Sequence, residues 1–209
     1  MPLLFWTVSG LWMVARPIEE VRGEHLKASA PALAIPGAVT PPEVRGAALK
    51  SLAVEPRAGG PVWVAAFKDG SARAADLVTG AWLPPVARDA AVRTARAHYL
   101  GRAAVVGVTV TSAGDPPIDL RRPRPAWRVE FADGTRVYVD RDTGGVLALR
   151  TRQWRWFDWM WGLHILDLDT REDTSHPTLI AAAAVSLATV LLGIVLLPLA
   201  SRWRRRAER

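Results

Sequence analysis

The placement of apolar and charged positions divides the chain into two unlike parts. From Thr178 to Ala200 no charged residue interrupts 23 positions. At about 1.5 Å per residue a helix of that length reaches roughly 34 Å, enough to cross about 30 Å of hydrocarbon. A buried helix of a soluble protein would carry a polar stripe. Here only Thr178, Ser186 and Thr189 are polar, and small hydroxyls can bond back to the carbonyl one turn earlier. The pattern predicts a transmembrane helix over 178–200. Short basic flanks stay in the cytoplasm, so the tail 201–209, with Arg202, Arg204, Arg205, Arg206 and Arg209 against Glu208, is expected there and everything before Thr178 on the far side.

A second apolar run, Leu3 to Ala15, spans 13 residues; as a helix it reaches only about 20 Å. No basic residue precedes it and no A-x-A site follows it, unlike a signal peptide. It is expected to be the outer half of a membrane helix whose cytoplasmic half lies upstream of Met1. Both termini are then cytoplasmic and residues 16–177 form one outside loop. Residues 16–41 read as a linker, Ala-, Pro- and Ser-rich from Ala28 onward.

The globular part is predicted to open with a helix from Pro42 to about Ala53, with Val44, Ala48, Leu49 and Leu52 on one side. An internal repeat comes next. Residues 61–83 (PVWVAAFKDGSARAADLVTGAWL) and 125–147 (PAWRVEFADGTRVYVDRDTGGVL) share nine of 23 positions without a gap, among them Trp63/Trp127, Phe67/Phe131, Asp69/Asp133, Gly70/Gly134, Thr79/Thr143 and Gly80/Gly144. Trp and Phe four apart on a strand point to one face. Asp-Gly supplies a two-residue hairpin turn and Thr-Gly the next, so each copy reads as a three-stranded antiparallel meander. A helix over Val86 to about Leu100 and a β-branched run Ala103–Thr111 precede the second copy; Ala113–Arg124 is expected to be a mobile loop. The fold class is therefore α+β, a helix-plus-antiparallel-sheet module repeated in tandem (42–84 and 86–150) between two membrane helices.

Residues 151–168 hold Trp154, Trp156, Trp159 and Trp161, four of the ten tryptophans. Trp favours the membrane–water boundary, which predicts a helix on the outer leaflet or docked on the membrane helices; a core helix of the soluble domain is the alternative.

Charge adds little to this picture. Five arginines against one glutamate give the tail +4 of the net +7, leaving +3 elsewhere, too little for a nucleic-acid surface. With no cysteine there is no disulfide, thiol nucleophile, Cys-type zinc site or CxxCH haem attachment. The sequence contains no GxSxG, HExxH, Walker or GxGxxG pattern. Asp167, Asp169, Glu172 and Asp173 form an acidic turn without EF-hand spacing, and Ser175 or His176 is placed to cap the long helix. Of His25, His98, His164 and His176, the candidate for function is His164, since an imidazole at the membrane boundary can ligate haem iron or a metal. The alternative is an interfacial histidine bonded to Asp158 or Asp167.

The segment Val86–Arg150, ending VYVDRDTGGVLAL, resembles a PepSY domain. The flanking pieces WTVSGLWMVARPIEEVRGEHL and RQWRWFDWMWGLHILDLDTRED, the latter succeeded by a hydrophobic helix, are similar to the PepSY-associated transmembrane family of bacterial inner-membrane proteins. The resemblance implies a periplasmic PepSY module held between membrane helices. The family includes ferric-siderophore reductases with histidine-bound haem, and PepSY modules elsewhere are associated with peptidase propeptides and inhibition. Neither hydrophobic run of this chain contains a histidine. The expectation is thus a non-enzymatic binding or regulatory module, whose partners are the bilayer and another membrane or periplasmic protein rather than nucleic acid. The alternative is a haem b-binding redox subunit of a ferric- or flavin-linked reductase system, with His164 as ligand.

Overall fold

A computed structural model describes residues 2–35 and 37–207. The chain divides into two compact units: residues 18–155, and the terminal segments up to Pro17 and from Trp156 onward. Among the described residues it is mixed α+β, with two small antiparallel sheets and five α-helices.

The 18–155 unit holds a three-stranded sheet, β1 (Leu49–Glu55), β2 (Val62–Phe67) and β3 (Ala72–Asp76), and a four-stranded sheet, β4 (Val105–Thr111), β5 (Ala126–Phe131), β6 (Arg136–Asp140) and β7 (Val146–Arg150), each paired in chain order. The repeat reaches further than its sequence signature. Leu49 pairs with Phe67 and Val105 with Phe131, both ladders slip by one residue immediately afterwards, and both end symmetrically at Glu55/Val62 and Thr111/Ala126. A shared bulge at the same rung fixes β1 and β4 as counterparts.

Each shared turn residue has a visible task. Phe67 N–H bonds Ser71 O and Phe131 N–H bonds Thr135 O, so the Asp-Gly turns are three-residue loops closed by Gly70 (φ 87°) and Gly134 (φ 81°). They are not the two-residue turns expected; one left-handed glycine and a bulge replace two left-handed residues. In the next turn Asp76 Oδ1 accepts the amides of Val78 and Thr79, and Asp140 Oδ1 those of Asp142 and Thr143.

Both copies are anchored at their start in the same way. Thr40 N–H donates to Leu77 O and Val86 N–H to Arg141 O. The indole of Trp63 donates to Thr40 O at 2.8 Å, and that of Trp127 to Val86 O at 2.7 Å. Thr40 and Val86 are therefore equivalent, but the segments that leave them are not. After Val86 come 18 residues before β4, enough for α3 (Arg88–His98). After Thr40 come only eight before β1.

The predicted helix 42–53 is therefore absent: Gly46 turns left-handed (φ 72°) and the later half becomes β1. A short apolar run fits both periods, and here pairing with β2 decides. The expected third strand of the first copy is also reduced, to a single bridge between Ala75 and Trp82. Pro84 and Pro85 stop it, because neither has an amide to donate to the ladder.

The four-stranded sheet is covered on both faces. On one, Ala91 and Ala95 of α3 and Tyr99, the residue that follows it, pack on Val129, Phe131, Val137, Val139 and Leu149; the two alanines let the helix lie close. Tyr99 meets Phe131 with ring centroids 4.2 Å apart, and its hydroxyl donates to Asp133. On the other face Leu120, 1% exposed, packs with Ala126, Tyr138 and Ala148. The connector 113–124 is therefore not a mobile loop. Buried Asp119 accepts from Tyr138 Oη at 2.7 Å and from Arg136 Nη1 at 3.2 Å, its carbonyl accepts from Arg150 Nε at 2.7 Å, and Arg124 pairs with Asp140. An ordered strap satisfies the polar groups it buries.

Part of the expected linker is packed too. α2 (Ile18–Val21) and a 3-10 turn (Glu24–Leu26) lead to an antiparallel bridge between Lys27 and Tyr99, and Val21 is fully buried.

In the other unit are α1 (Pro2–Val14), all but the first turn of α4 (Arg152–His164) and α5 (Pro177–Ala207). The 22 residues Pro177–Pro198 are long and apolar enough to cross a membrane, and their side chains are almost wholly exposed. The helical backbone continues beyond Ala200 into the arginine-rich tail. Thr189 bonds back to Val185 O at 2.8 Å as expected, whereas the buried Ser186 hydroxyl has no partner among the described residues.

Candidate functional site

The site is built on His164, at the last turn of α4. Apolar positions on α1 recur around Ser9 and Gly10, giving that helix one face of small residues between Trp6 and Met13. Ser9 is 1% exposed, and its Oγ lies 2.9 Å from His164 Nδ1. Trp161 stacks beside the imidazole with centroids 6.3 Å apart, and Trp6 lies on the α1 side at 6.5 Å. A Cβ on Gly10 would stand 3.5 Å from His164 Cε1, an ordinary contact, so α1 comes close to the ring at this position.

The hydrogen bonds favour one tautomer. Ser9 Oγ also reaches Trp6 O at 3.2 Å, and a hydroxyl has one proton. Both contacts are made at once only if Ser9 donates to Trp6 O and accepts from Nδ1–H. In the neutral ring the lone pair then sits on Nε2, which makes no hydrogen bond among the described residues. The arrangement is that of a ligand histidine oriented through its other nitrogen. It is not that of a nucleophile and base, because the serine proton points away from the imidazole.

The carboxylates weighed as partners of His164 are engaged elsewhere. Asp158, buried in α4, pairs with Arg171 Nη1 at 2.8 Å. Asp167 accepts the amides of Asp169, Thr170, Glu172 and Asp173 and the Thr170 hydroxyl. The Thr170 hydroxyl and these amides hold its carboxyl well below the usual range despite the opposing cost of burial. The acidic turn is thus a closed loop around one carboxylate. No group of three or more His, Asp or Glu side chains fit to hold a metal ion occurs among the described residues.

His176 of the same unit is also engaged elsewhere. His176 Nε2 donates to Ile165 O at 2.9 Å, while Nδ1 accepts from Thr178 Oγ1 and from the Leu179 amide at 3.3 Å. It is the cap of α5, with both nitrogens used. His25 lies in the 3-10 turn and His98 at the end of α3, both in the 18–155 unit.

Ser9, Gly10 and Trp6 escape notice in sequence because they sit inside an apolar run read for its length. The signal is there in their spacing, two small residues three and four positions after a tryptophan. No protein-family model, characterised protein or solved structure matches this chain.

Proposed function

We propose that the chain is a membrane-anchored, non-enzymatic binding module. Its 18–155 unit would be displayed on the outer side of a bacterial inner membrane and α5 would serve as the anchor, with the arginine tail inside. The observation that carries this reading is α5: an apolar stretch of 22 residues with its side chains exposed has no stable place in water. The run of arginines after it supports the orientation. We read the tandem sheet units as a PepSY-like module, and the edges of two small antiparallel sheets suit recognition of a protein or peptide. Reporter fusions test it. A phosphatase fused after Trp82 should be active outside and one fused after Arg209 inactive. The reverse pattern, or release of the protein by carbonate, would refute the reading.

One observation favours a second reading, a haem-binding redox subunit: Ser9 holds His164 through Nδ1 and leaves Nε2 without a hydrogen-bond partner among the described residues. In that case His164 would ligate the iron, Ser9 would hold the ring through Nδ1–H, and Trp6 and Trp161 would exclude water. Haem would supply one-electron transfer between partners on either side of the membrane. Protein purified in detergent should then show a Soret band that is lost in His164→Ala and shifted in Ser9→Ala. A colourless preparation would leave the binding-module reading alone.

A further inference from the structure

Within the 18–155 unit a cavity of about 310 Å³ opens where the two repeats meet, at the lower end of the range for ligand sites. The end of α3 forms one wall with Thr94, Ala97 and His98, and the β1–β2 loop forms another around Arg57. The extended segment Ala28–Pro31 forms the rim and Gly144–Gly145 the floor. The sequence repeat does not anticipate this space, because it arises where the copies differ: α3 belongs only to the second.

We infer that this cavity binds a short, uncharged, extended peptide with small apolar side chains. This deepens the binding-module reading and rests on it. Three observations converge on that class of ligand.

The first is charge. Arg57 Nη2 is paired with Glu55 at 2.7 Å, while its Nε donates to Thr143 O at 3.1 Å and Nη1 to Pro56 O at 3.0 Å. Its guanidinium lies across Gly145, where a Cβ would stand 3.0 Å from Nη2. The one guanidinium of the lining is thus paired with its one carboxylate. A charged group entering would lose its hydration without a partner.

The second is the imidazole. Burial, and then the Lys27 cation, hold His98 below the usual histidine range, so at neutral pH it offers one donor and one acceptor. Neither ring nitrogen has a hydrogen-bond partner among the described residues. A peptide amide or carbonyl supplies either.

The third is backbone. Ala28 N–H donates to His98 O at 2.8 Å and Leu100 N–H to Leu26 O at 2.9 Å, and there the ladder stops. Ser29 and Ala30 continue exposed and outside any strand, and their amides and carbonyls make no hydrogen bond among the described residues. An extended peptide laid along them meets unspent donors and acceptors. Side-chain size is set by the walls, where Ala28, Ala30, Ala58 and Ala97 present methyl groups.

The test uses the full chain in detergent micelles and, as probe, the blocked peptide acetyl-Ala-Val-Ala-Ala-amide, monitored by amide and imidazole nitrogen NMR. Saturable shifts are expected at residues 28–30, 94–98 and 144–146, with the His98 ring settling into one tautomer. Ala97→Trp, at an exposed helix position, should abolish them while leaving the circular dichroism unchanged. His98→Phe keeps the question answerable if that variant misfolds, and should weaken binding roughly tenfold, as the loss of one hydrogen bond implies. The same peptide with aspartate in place of valine should bind at least about tenfold more weakly.

Absence of saturable shifts at millimolar probe, shifts that survive Ala97→Trp, or equal binding of the aspartate peptide would each overturn the assignment. The fusion experiment separates the two ideas. A module outside that ignores the peptide sinks only the cavity, and a module inside that binds it sinks only the membrane-display reading.

Discussion

The two sheets of the 18–155 unit share a ladder, a bulge, two turns and an anchoring indole, yet only the second is sandwiched between layers of its own repeat. The difference lies in two connections. Between the anchor and the first strand the second copy has 18 residues to the first copy's eight, and between its first and second strands it has 14 to six. The longer segments become α3 over one face and the Leu120 strap over the other. Sheet geometry is thus set by short-range pairing and turn chemistry, which both copies retain. Layering is set by how much chain is available to return over the sheet. The first copy makes do with Pro42, buried near Trp63 and Trp82, where the second lays a helix.

The comparison can be broken most decisively at the equivalent phenylalanines. Phe131→Ala should cost about 3–5 kcal/mol, because the ring is fully enclosed between β-strands and Tyr99. Phe67→Ala should cost less, since its aromatic neighbour Trp82 is only half-buried. Urea unfolding of the full chain in micelles reads both, and equal losses would mean that α3 adds nothing to the second core.

Next come the turn glycines. At Gly80 (φ 71°) a Cβ would lie 2.8 Å from the carbonyl oxygen of Pro41, whereas at Gly144 (φ 72°) it would meet only a Val86 methyl at 3.3 Å. Both alanine variants incur the left-handed penalty of about 1–2 kcal/mol, so Gly80→Ala should be the worse of the two. A larger loss for Gly144→Ala would show that the tighter approach in the first copy is relieved by backbone movement.

The tryptophans sharpen the likeness rather than the contrast. Replacing either anchoring indole N–H removes one hydrogen bond, about 1 kcal/mol in each copy. An N-methylated indole at Trp63 and at Trp127 should therefore shift the unfolding midpoint by similar amounts.

The smallest effect at neutral pH concerns the tyrosines, both in the second copy or its helix. Burial, and then the hydrogen bond to Asp133, push Tyr99 up to about 12, and burial with the Asp119 charge raises Tyr138 as well. A raised phenol contributes stability that is complete below its unfolded value, about 10. That contribution is lost as pH climbs through the folded value. Near-ultraviolet titration should show no tyrosinate until alkaline unfolding begins, and ionisation of either ring near 10 in the folded protein would contradict the packing of the second sheet.

Legibility in the sequence divides along the same line. Trp, Phe, Asp-Gly and Thr-Gly at fixed spacing name β2, β3, β5 and β6, since turn chemistry is local. β1 is hidden because LKSLAVE satisfies a helical period as readily as a strand's, and only the distant β2 arbitrates. The strap is hidden because proline and arginine usually mark solvated loops, while Asp119 and Leu120 act through partners on β6 and β7. His164 can be singled out by its place beside the tryptophans. Its partner cannot, because a serine inside an apolar run carries no mark of where its hydroxyl turns.

Thr40 and Val86, held by the same pair of backbone contacts, are natural splice joints. Exchanging residues 41–48 for 87–104 would graft a helix onto the three-stranded sheet without disturbing either seam. A chain with such joints can lengthen or shed a whole layer by one insertion or deletion, and the two halves of this unit look like the outcomes of that trade.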